Sequence, residues 1–231
     1  MIQEIAAQFS YFGLLLTIVA FQLGLLLKKK FKLSIFNAPF ISIFVTIIVL
    51  LCLDIDYETY NSSAKYLSYF LTPATVSLAI PLYHQITLLK KHIFALVISI
   101  LCGVLASILS IAMFCAIFGL NHDMYVTLMF KSITTPIGMK ESELYGGFVT
   151  LTIASICVTG VLGNTFAEAA CRLFRIKEPI AQGIAIGTAS HASGTTRAMC
   201  MGEIQGAMSS LALVVAGLIT VLVAAFFVNM I

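Results

Sequence analysis

The chain has 231 residues; 60% are hydrophobic, 10% are charged, and the formal net charge is +3. Average soluble domains carry roughly 25% charged residues, and a soluble domain of this size has no interior large enough to hide so much apolar surface. The composition therefore excludes a soluble enzyme, a disordered chain and a charge-driven nucleic-acid binder, and places the chain in a lipid bilayer.

The N-terminus has Glu4, no basic region and no small-residue cleavage site, so the first apolar run, near 9–27, reads as a retained span. It ends at Lys28-Lys29-Lys30-Phe31-Lys32. A second span near 35–53 ends in an acidic loop with Asp54, Asp56 and Glu58. A third segment, 67–87, runs into a basic loop at Lys90-Lys91, flanked by His84 and His92. The apolar run 93–120 ends at Asn121-His122-Asp123, and a polar-studded segment, 124–140, follows. A clean span near 146–170 ends at Arg172, Arg175 and Lys177; segment 180–200 is rich in Gly, Ser and Thr; the last span is near 207–228. The expected architecture is an all-α polytopic membrane protein of about six to eight spanning or re-entrant segments, at about 20 residues per span. It is read as one integral membrane domain over 1–231.

Three basic clusters hold nine of the thirteen Lys and Arg residues. Basic loops face the cytoplasm, so the N-terminus is expected outside. Segment 124–140 must then enter from outside and return there, because a single crossing would put 172–177 on the wrong face. Segment 180–200 is expected to be a hairpin from the inside, since ten residues such as Gly187 to Thr196 make a poor lipid-facing helix. A weak repeat agrees. At a shift of 57 residues, Thr75-Val76-Ser77 lies over Ser132-Ile133-Thr134, which lies over Ala189-Ser190-His191. Units near 72–120, 130–176 and 187–231 would each hold a broken segment and a helix, successive units being inverted. The first breaks that parity if 67–87 is a full crossing.

Three constellations could carry chemistry. Pro73 and Pro81 break one segment twice, leaving Thr75 and Ser77 to satisfy freed backbone or face a substrate. Lys131 lies in an apolar stretch with Ser132, Thr134 and Thr135 before Pro136; it is either a functional cation or a lysine snorkelling to the interface. The third runs Ser190-His191-Ala192-Ser193-Gly194-Thr195-Thr196-Arg197. There Arg197 could fork onto a carboxylate or pair with Glu203, and His191 could carry a proton or serve as a hydrogen-bonded structural residue. Asn164 beside Gly160 and Gly163 suggests helix contact, and Glu168 reads as interfacial. The six cysteines lie in or beside apolar runs without a CxxC pair, so neither disulfides nor a metal site are expected. With no Trp, an interfacial belt must use Tyr57, Tyr60, Tyr66 and Tyr69. No GxSxG, P-loop or HExxH is present, and no catalytic residue or cofactor is expected.

The runs from Thr72 to Tyr83, from Lys131 to Ile137, and Gly187-Thr188-Ala189-Ser190-His191 with Gly194-Thr195 and Arg197-Ala198 resemble the LrgB/CidB family. The tail from Gly202-Glu203 to Ala212 fits too, and the resemblance covers nearly the whole chain. Ser77, Gly138 and Ala192-Ser193 depart from the family's usual residues, so substrate identity is not carried over. The resemblance implies a multi-pass protein of a bacterial cytoplasmic membrane with one of two functions. One is transport of small monocarboxylates resembling pyruvate, lactate or glycolate. The other is antiholin-like modulation of murein hydrolase export and lysis, with a small LrgA/CidA-type membrane partner. The broken polar segments favour an ion- or proton-coupled carrier, a homo-oligomer with no nucleic-acid partner. In that reading Arg197 and Lys131 hold the carboxylate. Ser77, Thr134, Thr135, Ser190 and Thr195 bond the oxo or hydroxy groups, Thr75, Ser132, Ser193 and Gly194 line the site, and His191 carries the coupling proton.

Overall fold

The structure is a computed structural model and describes residues 11–31, 38–70, 73, 76, 77, 79–84 and 86–231. Every regular element among them is helical, as the apolar runs require in a bilayer, where only helices and closed barrels satisfy the backbone. Two compact units follow one another in the chain, Met1–Ser77 and Leu78–Ile231.

In the first unit, α1 (Phe12–Phe31) packs against α2 (Ala38–Cys52) and α3 (Tyr57–Ala64), and a 3-10 turn, Lys65–Phe70, follows. Small residues set the approach: a Cβ on Gly24 would lie 2.7 Å from the Ala38 carbonyl oxygen. The Gly13 amide donates to Ser63 Oγ at 2.8 Å, and Thr17 Oγ1 meets the Tyr60 hydroxyl at 2.8 Å. Helix α2 has 15 residues, a rise of about 22 Å, short of the roughly 30 Å hydrocarbon core.

The second unit opens with α4 (Ala79–His84), which contains Pro81, and α5 (Ile86–Phe118). Lys90 and Lys91, expected in a loop, are instead helical: nothing from Ile86 to Phe118 except Gly103 weakens a helix. Thr72, Ala74 and Thr75 lie outside the described residues. Gly119 (φ +63°) and Gly146 (φ +81°) then bracket a first hairpin. Its arms are α6 (His122–Met129), capped by Asn121 Oδ1 on the Met124 amide, and α7 (Thr135–Leu144), which carries Pro136 in its first turn. The arms are folded together: the Phe130 and Tyr145 rings stack at 6.3 Å, and the Phe148 amide donates to Thr127 Oγ1 at 2.8 Å. Next comes α8 (Val149–Leu173).

Helix α9 (Pro179–Met201) is two helices around a break, with Ser190 at φ −135°, ψ 19° and His191 at φ 42°, ψ −141°. The chain reverses there. A Cβ on Gly194 would lie 3.0 Å from the Ile186 carbonyl oxygen, whereas eight residues of straight helix span about 12 Å. A second reversal at Gly202 brings Met199 against Gly206 and starts α10 (Glu203–Phe227).

Arms of 8–11 residues rise about 12–16 Å, about half the thickness of a hydrocarbon core. Helix α8 joins the base of the first hairpin to the base of the second. The same order, hairpin then long helix, occurs twice: 122–173 and 179–227. Each return arm is joined to its long helix by a hydroxyl pair, Ser142 with Thr152 at 2.7 Å and Thr195 with Ser209 at 2.9 Å. Among the described residues four helices are long and apolar enough to cross a membrane, and the chain is a multi-pass membrane protein.

Candidate functional site

The tip of the second hairpin is embedded in protein. His191 is 6% exposed, and its Nε2 donates to the Ile156 carbonyl at 3.0 Å, which puts the ring proton on Nε2. Its positive φ is a conformation that costs a non-glycine residue of order 1–3 kcal/mol, held by the packing around it. Gly160 makes room for the ring, since a Cβ there would lie 2.7 Å from His191 Cε1; Gly163 does the same for Ser190. Thr195 Oγ1 donates to the His191 carbonyl at 2.9 Å and so re-satisfies backbone freed by the break. Asn164 Nδ2 donates to the Ser193 carbonyl at 2.7 Å and to Thr196 Oγ1 at 2.8 Å. Arg197 pairs with Glu168 at 2.5 Å, and Glu168 also holds Arg172 at 3.1 Å. These groups fasten the second hairpin to α8.

The tip of the first hairpin faces open space. A groove of about 840 Å³ lies between α5 and the entering arm of the second hairpin, with Lys131 and Ser132 on its lining. Lys131 Nζ donates to Ser132 Oγ at 3.2 Å, and Ser132 Oγ lies 3.4 Å from Ser107 Oγ. Among the described residues no carboxylate pairs with Lys131. Across the groove Thr188 is only 8% exposed, yet its Oγ1 has no hydrogen-bond partner. Buried hydroxyls are nearly always partnered, so an unpaired one needs an explanation such as a missing ligand or water. A small void beside it, bounded by Ser107, Ser132, Thr188 and Thr220, measures about 10 Å³, close to the room one water needs. Ser99 and Ser110 of α5 also line the groove, and Glu178 stands at the other end of its length.

The expected site residues thus fall in different places. The groove takes Lys131 and Ser132, but not Ser190, His191, Ser193, Gly194, Thr195 or Arg197. Thr134 and Thr135 begin α7 and are half-buried. Ser77 is exposed at the end of the first unit, as is Pro73, while Thr75 lies outside the described residues. Glu203 sits in the first turn of α10, where the helix dipole favours a carboxylate; the acid found on Arg197 is Glu168, expected to be interfacial.

Sequence reasoning missed Ser99, Ser107 and Ser110, because 93–120 reads as a clean apolar run. The signal was there as a helical stripe: Ser99, Gly103, Ala106, Ser107 and Ser110 recur at spacings of three and four, a face of small and polar residues. Thr188 lies in the Gly-Thr-Ala-Ser-His run, where the sequence alone assigns it no role. Among the described residues no group of three or more His, Cys, Asp or Glu is placed to hold a metal ion, and the six cysteines are free.

The family model described as LrgB-like matches residues 17–230. Relatives named antiholin-like protein LrgB, from Bacillus cereus (strain B4264) and Bacillus anthracis (strain A0248), are each 34% identical to the chain over 218 residues, covering 94% of it and 95% of the relative. No solved structure matches the chain.

Proposed function

The chain belongs to the LrgB-like family, and from that premise we propose that it is a secondary carrier for small monocarboxylates whose carboxylate docks on Lys131. The observation that carries this reading is the groove end, where among the described residues no acid pairs with Lys131 and the lining also holds Thr188, whose buried hydroxyl is unpaired. An ammonium at membrane depth is expensive unless paired, and an incoming carboxylate supplies the missing charge. Thr188 Oγ1, Ser107 Oγ and Ser132 Oγ can bond a 2-oxo or 2-hydroxy group. The role first expected for Arg197 passes to Lys131, because the Arg197 charge is already paired with Glu168 through Nη2, although its Nε has no partner, and Arg197 is not on the groove lining. His191 fixes the hairpin tip through its bond to Ile156. Hairpins from opposite faces with tips near mid-depth suit alternating access, with a site at the repeat interface. The carrier is proposed to work in the cytoplasmic membrane of a bacterium as a homo-oligomer, with ion coupling and a small LrgA/CidA-type partner.

The test is uptake of labelled pyruvate, lactate and glycolate into proteoliposomes, with leakage of a trapped dye measured in parallel. It would be run with the protein alone and with an LrgA-type partner. Saturable uptake without dye loss is the expected result; dye loss without saturation sinks the carrier reading. The second reading, an antiholin-like modulator of lysis, is favoured by the relatives' names. It predicts dependence on partner stoichiometry and no saturable flux.

A further inference from the structure

We infer that the site prefers monocarboxylates with a short aliphatic tail over three-carbon acids, and rejects a second carboxylate at the tail's far end. The inference rests on reading the groove as an acid site and adds the part of the substrate that the anion site does not touch.

The groove is far larger than its polar end. Its volume of about 840 Å³ lies in the range of roughly 300–1,000 Å³ typical of drug-sized ligands, and a three-carbon acid fills a small part of it. The polar groups are concentrated where Lys131, Ser132, Ser107 and Thr188 meet. Away from them the wall is mainly apolar: Leu96 (1% exposed) and Ile184 (8% exposed) line it with Ile180, Ala106 and Ala185, and Ser99 adds one hydroxyl. The alanines leave the width that a tail needs. Polarity returns at the mouth, where Glu178 precedes Thr188 by ten residues of the arm, a rise of about 15 Å. An acid held at Lys131 therefore extends its chain over Leu96 and Ile184 toward Glu178. A terminal methyl group meets a mainly apolar wall; a terminal carboxylate is brought toward a like charge without a second cation, because Lys131 is the only basic residue among the described residues of the lining.

The experiment is a competition series against uptake of labelled pyruvate by the unmodified protein. The competitors are 2-oxobutanoate, 2-oxopentanoate, 4-methyl-2-oxopentanoate and 2-oxoglutarate. Each buried methylene should tighten competition about fourfold, so 2-oxopentanoate should compete about fifteenfold better than unlabelled pyruvate. 2-Oxoglutarate, with the same five carbons and one more carboxylate, should compete worse than 2-oxopentanoate by at least the same factor. Ala185→Leu should shrink the ratio between 4-methyl-2-oxopentanoate and pyruvate; Ala106→Leu is the second variant should the first not fold. Saturable pyruvate uptake with no gain along the series overturns the tail preference and leaves the carrier reading intact. Equal competition by 2-oxoglutarate and 2-oxopentanoate overturns the charge exclusion at the mouth. The absence of saturable uptake of any of these acids overturns both the carrier reading and this inference.

Discussion

The two hairpins have the same plan and opposite chemistry. Each runs in along one arm, breaks and returns to a long helix, with a hydroxyl pair joining the return arm to that helix. At the second tip most of the polar groups have partners: His191 on the Ile156 carbonyl, Thr195 on Ser209, and Arg197 on Glu168 through Nη2, with only its buried Nε left unpaired among these. At the first tip Lys131 has one neutral hydroxyl, and across from it Thr188 has none. A polar residue at membrane depth is thus a weak pointer to a site by itself. What marks the site is polarity that the protein leaves unanswered.

Substitutions can break this contrast, and they rank by expected size. Lys131→Met removes the only cation among the described residues of the groove lining and should weaken substrate binding by about 3 kcal/mol, the scale of a lost partner in a desolvated charge pair, with the thermal midpoint in detergent preserved. Uptake and thermal unfolding on the same preparation check both halves. Gly187→Ala should do the reverse. Its Cβ would press on the Ser209 carbonyl oxygen and lie 2.9 Å from the Ala212 Cβ, so stability should fall by about 2 kcal/mol, as overpacking does; a denaturation midpoint measures it. Thr188→Val keeps the shape and deletes the unpaired hydroxyl. Substrate binding should weaken by about 1 kcal/mol, the value of an ordinary hydrogen bond, while stability is unchanged or improved, because no internal bond is lost. A loss of stability there would show that the hydroxyl serves the fold. Arg172→Ala, which cuts an exposed i,i+4 pair with Glu168, should change the midpoint by no more than about 0.5 kcal/mol.

Much of this architecture was legible in the sequence. Both broken segments announced themselves: Pro136 after Lys131-Ser132, and ten small or polar residues from Gly187 to Thr196 inside an apolar chain. The positive-inside pattern then required the 124–140 segment to return to the face it came from, and α6 and α7 do fold back on each other. The roles at the tips were not legible, because a side chain's partner is a tertiary fact. The bond that fixes His191 comes from a backbone carbonyl, Ile156, which has no sequence signature. The acid that occupies Arg197 sits 29 residues earlier on another helix, at a position that reads as interfacial. The α5 serines were hidden for a different reason: hydropathy averages over a turn, and a single polar face disappears in a run as apolar as 93–118.

The most direct test of the central claim asks whether a substrate carboxylate covers Lys131. Amine labelling of the reconstituted protein would be read lysine by lysine by mass spectrometry, with and without pyruvate at a concentration that saturates uptake. Protection confined to Lys131, with the exposed Lys140 labelled equally in both samples, is the expected result. Unchanged labelling of Lys131 under saturating pyruvate would contradict the assignment and return the anion site to another part of the molecule.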